Sequence, residues 1–171
     1  MSETPAGQNY FYEVQRFRQP WLMILVVGLA GLSWYAFITQ ILHKKAFGSN
    51  PAPDAIVWMI WAIFGLLFPL IFLSLRMTTE LMSDGLRIRF VPFYRRSIPL
   101  GEIQSIEVRE YSAIREYGGW GVRFSPKHGT AYNVSGNRGV QLVLISGKRV
   151  LIGSQDPERL ANALRNLVPG R

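Results

Sequence analysis

Residues 117–124 read YGGWGVRF, three glycines around an indole. Glycine-rich loops let backbone N–H groups approach phosphates, so the first chemistry to test here is dinucleotide binding. That fingerprint needs glycines at G-x-G-x-x-G and a helix directly after them. Gly119 and Gly121 meet the first two positions, but Phe124 occupies the third and a strand-like pattern follows. A P-loop fails as well, because Gly147-Lys148 is followed by Arg149 and preceded by no correctly spaced glycine. Glu107, Glu110 and Glu116 lack a His or a second acid at a spacing that makes an acid–base pair, and His128 stands alone among loop residues. There is no cysteine, which excludes disulfides, thiolate metal sites and Cys nucleophiles. The expectation is no catalytic residue, no cofactor and no metal, with enzyme or transporter the least favoured class.

The same residues have simpler roles. Gly118 and Gly119 suit a tight turn or bulge with positive φ. Trp120 then plugs a β-sandwich, or stands exposed as an interface anchor. NVSGNRG, residues 133–139, reads as a hairpin loop. Its alternative is a small anion site built from backbone N–H groups and Arg138.

The elements that position these groups divide sharply. Trp21 to Leu42 and Ala55 to Leu75 carry no charged side chain. Each is long enough to cross about 30 Å of hydrocarbon as a helix. Roughly twenty polar and aromatic residues precede the first run and no cleavage pattern follows it, which argues against a signal peptide. In NYFYEVQRFRQ (9–19), Tyr10, Val14, Phe17 and Trp21 fall at helical spacing, predicting a short interfacial helix. Pro20 suits the first turn of the first span, and Asp54 suits an N-cap for the second. Gly28 and Gly31 on one span, and Ala62, Gly65 and Pro69 on the other, are expected to pack the two together, with a kink at Pro69. Neither span holds an ionisable group of the kind that marks proton or ion paths. Arg16, Arg18, Arg76, Arg87, Arg89, Arg95 and Arg96 flank one side against Lys44 and Lys45 on the other, so both termini are expected in the cytoplasm.

From Arg76 onward short alternating segments replace the apolar runs: 78–82, 86–90, 95–100, 103–111, 120–124, 130–134, 139–146 and 148–154. Leu160, Leu164 and Leu167 then recur at helical spacing after Asp156-Pro157. Strands followed by one amphipathic helix describe a small sandwich or barrel capped at one end. This part holds fifteen Lys/Arg against eight Asp/Glu.

That order of elements resembles the pleckstrin-homology (PH) superfold. IPLGEIQSIEVR is similar to strands of bacterial PH-like domains attached to membrane-helix pairs. FYEVQRFRQPW, EYGGWGVRF, AYNVSGNRGVQLVL and GKRVLIGSQDPERL together resemble a family of small prokaryotic two-helix membrane proteins of unknown function. The resemblance implies a fold and no activity. Arg87-Ile88-Arg89 stands where lipid-binding PH domains carry part of their phosphoinositide motif. The preceding Ser83-Asp84-Gly85 turn is short and acidic, so specific inositol-phosphate binding is not expected.

The sequence therefore predicts an α+β membrane protein. A tail and interfacial segment (1–19) leads to a transmembrane hairpin (20–75), followed by a cytoplasmic PH-like domain (76–171) with a C-terminal capping helix. The expected localisation is the inner (plasma) or another prokaryotic membrane. The expected function is a non-catalytic interaction module, an accessory or stabilising subunit of a larger membrane complex. The alternative is a lipid-surface or envelope-stress factor. Expected partners are other membrane subunits and an anionic lipid surface, not nucleic acid. Candidate surface contacts are Arg76, Arg87, Arg89, Arg95 and Arg96. Candidate interface residues are Tyr10, Phe11, Phe17, Tyr117, Trp120 and Arg138. The connector between the second span and the first strand, Arg76-Met77, reaches less than about 10 Å, which keeps the domain against headgroups or a neighbouring protein.

Overall fold

The computed structural model describes residues 9–168 of the chain. It is a mixed α+β protein of two compact units: Phe17–Leu75, and the residues up to Arg16 together with those from Arg76 onward.

Among the described residues, the second of these contains nine strands in two sheets. Strands β1 (Phe11–Arg16), β2 (Arg76–Met82), β3 (Gly85–Val91) and β4 (Tyr94–Pro99) form an antiparallel meander in that order. The other sheet has the order β5-β8-β9-β7-β6, built from β5 (Ile103–Glu110), β6 (Gly121–Ser125), β7 (Gly129–Asn133), β8 (Arg138–Leu144) and β9 (Arg149–Gly153). Its β7–β9 pair is parallel and the others antiparallel. Strand alternation buries Met77, Leu81, Leu86, Ile88, Phe90 and Ile98 from the first sheet. Tyr132, Val140, Leu142, Val150 and Ile152 are buried from the second. Leu160 and Leu164 of the C-terminal helix Pro157–Leu167 join them, and Asp156 caps that helix by accepting from the Arg159 N–H at 3.1 Å.

The interfacial helix expected over 9–19 is instead a strand. Phe11–Arg16 pairs with β2 from Phe11↔Leu81 to Arg16↔Arg76. Phe11 and Gln15 are buried while Tyr12, Val14 and Arg16 face out, which is a period of two. The edge of β2 offers unpaired backbone groups, and a strand satisfies them, whereas so short a segment cannot sustain an isolated helix. Glu13 and Gln15 anchor the strand further. Gln15 Nε2 donates to the Gly153 carbonyl at 2.8 Å, and the Glu13 carboxylate accepts from Ser154 Oγ at 2.6 Å and from the Gln155 N–H at 2.7 Å. The apolar hairpin is thus an insertion between two adjacent strands of one sheet rather than a segment preceding a separate domain.

The other unit holds helices α1 (Pro20–Leu42) and α2 (Asp54–Ser74), both long and apolar enough to cross a membrane. Pro53, not Asp54, takes the N-cap position of α2; Asp54 Oδ1 instead accepts from Gln40 Nε2 at 2.9 Å. The small-residue packing holds only in part. A Cβ added at Gly28 or Gly31 would meet nothing within 4 Å, while one at Gly65 would meet Trp61 and Trp34. Aromatic rings carry the contact: Phe37 stacks on Trp61 with centroids 4.4 Å apart, and Trp34 meets Trp61 edge-on at 5.2 Å. Pro69 has no N–H to give the Gly65 carbonyl, and the indole of Trp34 donates to that oxygen at 3.1 Å. Around it, residues Trp61–Leu67 widen into a π-helical segment.

Candidate functional site

Two groups of polar side chains could do chemistry, one on the five-stranded sheet and one where that sheet meets β4. The first rests on the sheet's outer face. Here a short helix, α3 (Ala113–Tyr117), connects β5 to β6. Ser112 caps it by accepting from the Arg115 N–H at 3.3 Å, and Glu116 Oε1 accepts from the Ser112 N–H at 2.8 Å. Gly118 ends it with φ of +73°, and the N–H groups of Gly118 and Gly119 close onto the carbonyls of Ile114 and Ala113. This explains the paired glycines of YGGWG: they terminate a helix that five residues between a strand and a turn gave no periodicity to reveal.

On this helix Glu116 Oε2 accepts from Arg109 at 2.8 Å and lies 3.7 Å from His128 Nδ1. Arg109 also donates to the Tyr117 hydroxyl at 3.1 Å and to Gln141 Oε1 at 3.1 Å. A cavity of about 340 Å³ opens beside them, lined by Glu107, Arg109, His128, Gln141, Val143 and Arg149. Burial opposes charge on Glu116, but the Arg109 hydrogen bond, the Ser112 N–H and the nearby positive charges outweigh it and hold the carboxyl below its usual value. Burial pushes the Tyr117 phenol up, so it stays neutral. The ionised, doubly engaged carboxylate and the neutral phenol tie α3 to the sheet through Arg109.

The depressed carboxyl makes a pH prediction. Its contribution to stability is present above the unfolded value near 4.5 and is lost as pH falls through the lower folded value. Thermal melts of Glu116→Gln and the unaltered chain should therefore differ at pH 7 and converge as the pH is lowered below about 4. A gap unchanged by acid would remove Glu116 from the stabilising ion pair.

The second group surrounds a cavity of about 540 Å³ between β4, the β6–β7 turn and the start of β9. Arg96, Lys127, Lys148 and Arg149 line it with Phe124, Ser125, Thr130 and Gly147, and no carboxylate among the described residues does. Arg96 donates to the Tyr132 hydroxyl at 2.9 Å, and Tyr94 shares that hydroxyl at 3.1 Å.

The residues expected at functional surfaces disperse. Arg76, Arg87, Arg89 and Arg95 fall on the outer face of the four-stranded sheet, with Arg87 paired to Asp84 at 2.6 Å and Arg89 to Glu80 at 3.1 Å. Arg96 must face the other way, because neighbours in a strand alternate; it stands opposite buried Ile88. Among the interface candidates, Phe11 and Tyr117 are buried, the former under the Arg159 guanidinium at 5.8 Å. Trp120 is half-buried against Tyr111, Ala113, Tyr117, Ala131 and Leu151, so it packs under α3 and does not plug the space between the sheets. Phe124 is 73% exposed on β6, an edge strand. Arg138 pairs with Glu158. Tyr10 and Phe17 are half-buried, Tyr10 donating its N–H to the Leu81 carbonyl at 2.9 Å. Sequence reasoning did not single out Lys127, Lys148 and Arg149, which come from two turns separated by two strands and from the first residue of β9, and carry no local signature.

The profile of the family described as "Family of unknown function (DUF6141)" matches residues 2–170. No curated protein matches the chain.

Proposed function

The chain belongs to that family of unknown function, and we propose that it is a membrane-anchored, non-catalytic interaction module, an accessory or stabilising subunit of a larger membrane complex. The observation that carries this reading is the insertion of α1 and α2 between β1 and β2. Arg16 and Arg76 are direct partners in the ladder, so the chain leaves the sheet and returns to it at one point. An anchor tied at both ends to adjacent strands joins the domain to the helices through two connections instead of one tether, which suits a domain that presents a surface to a neighbouring subunit. The clasp of Arg109, Glu116 and Tyr117 further favours a structural over a catalytic use of the best-formed polar cluster.

In this reading α1 and α2 span a prokaryotic inner (plasma) membrane, and the β unit is a PH-like domain in the cytoplasm with both termini. Two spans returning to one sheet require both ends on the same side, and the Lys/Arg excess selects the cytoplasm. A reporter active only outside the cytoplasm, fused after Arg171, should stay silent. Gentle detergent extraction followed by intact-mass analysis should yield a stoichiometric protein partner. A chain that emerges alone with tightly held anionic lipid would favour the lipid-surface alternative instead, to which the outward Arg76 and Arg95 lend support.

A further inference from the structure

We propose that the cavity lined by Arg96, Lys127, Lys148 and Arg149 binds a phosphate-bearing small molecule or headgroup. This inference is independent of the partner reading above. The four cations converge from β4, the β6–β7 turn and the β8–β9 turn on one space of about 540 Å³. None of them lies within ion-pair distance of a carboxylate among the described residues, although Arg87, Arg89, Arg109 and Arg138 all do. Four other arginines of this domain are thus neutralised in place, while the cations around the cavity repel one another with no carboxylate among the residues that line it. A bound anion offsets that repulsion and accepts charge-assisted hydrogen bonds from all four.

The dimensions and rim narrow the ligand. The volume is that of a small-molecule site, larger than one inorganic phosphate needs. Ser125 and Thr130 add hydroxyls, and Phe124 with Pro126 supplies an apolar rim. Arg96 is the fixed element: its bond to Tyr132 pins the guanidinium from below, and burial holds that phenol neutral, its pKa pushed up to about 12. Lys127 and Lys148 are exposed and free to close on the ligand. The group recognised is therefore a phosphomonoester or diphosphate carrying an organic portion. It can arrive as the headgroup of an anionic lipid or as a soluble phosphorylated compound.

Calorimetric titration of the full chain in neutral detergent tests this with two probes: inorganic pyrophosphate, and dihexanoyl phosphatidic acid against dihexanoyl phosphatidylcholine. Saturable binding of pyrophosphate assigns a soluble ligand source; binding of phosphatidic acid alone assigns a lipid headgroup. In either case Lys127→Gln/Lys148→Gln should weaken binding at least about tenfold. Arg115→Gln/Arg165→Gln, which removes the same charge from exposed helix positions, should leave it within about twofold. Binding of neither probe, or equal loss in both double variants, overturns the proposal.

Discussion

Residues 76–171 expressed alone should not fold, whereas the same residues preceded by 9–16 and a linker of about three glycine or serine residues should. The difference is one strand. Without β1 the edge of β2 is bare from Arg76 to Leu81, and Leu81 loses the ring of Phe11. Burying a phenylalanine of this kind contributes about 3 to 5 kcal/mol. The Gln15 bond to Gly153 and the Glu13 bonds to Ser154 and Gln155 contribute about 1 kcal/mol each, and they hold the approach to the C-terminal helix. Together these losses match the whole stability of an ordinary domain, about 5 to 15 kcal/mol. The short linker suffices because Arg16 and Arg76 are opposite one another in an antiparallel ladder, so a tight hairpin can replace both helices. Circular dichroism and amide proton dispersion read the outcome. A cooperative melt from 76–171 alone would show β1 to be dispensable. Failure of both chains would show that the domain depends on α1 and α2.

How much of this was legible follows the range of the signals. The strands from Arg76 onward and the final helix were readable because alternation and the Leu160, Leu164, Leu167 spacing are local. β1 was not, because Tyr10, Val14 and Phe17 fit a helical template and the inward positions of the strand, Phe11, Glu13 and Gln15, are mostly polar; only the edge of β2, sixty residues on, makes the segment a strand. α3 was missed because its caps, Ser112 and Gly118, lie on either side of a single turn of helix. Arg96 could have been separated from Arg95 by alternation alone. The basic cavity could not, since Lys127, Lys148 and Arg149 become neighbours only when β7 and β9 pair in parallel.

That parallel pairing should make Gly129→Ala the costliest of the glycine substitutions in the turns of this domain. Gly129 has φ of +84°, a conformation that costs an alanine about 1 to 2 kcal/mol. Its added Cβ would also fall on the backbone carbonyl of Arg149, which cannot swing aside as a side chain end would. Relief requires β9 to shift away from β7, straining the Thr130↔Val150 bridge, at about 1 to 3 kcal/mol more. The total of about 2 to 5 kcal/mol should lower the melting temperature by about 10 °C or more. Gly136→Ala isolates the conformational part, since φ is +77° there and the added methyl meets open space. Gly101→Ala meets neither penalty and should be neutral within about 0.5 kcal/mol. Melts of the three variants in detergent, followed by the strand signal in circular dichroism, should order them Gly129, Gly136, Gly101. Equal losses at Gly129 and Gly136 would mean that the start of β7 and the start of β9 do not pack in close contact. The shared cavity wall would then be looser too, because Gly129 and Arg149 both line it.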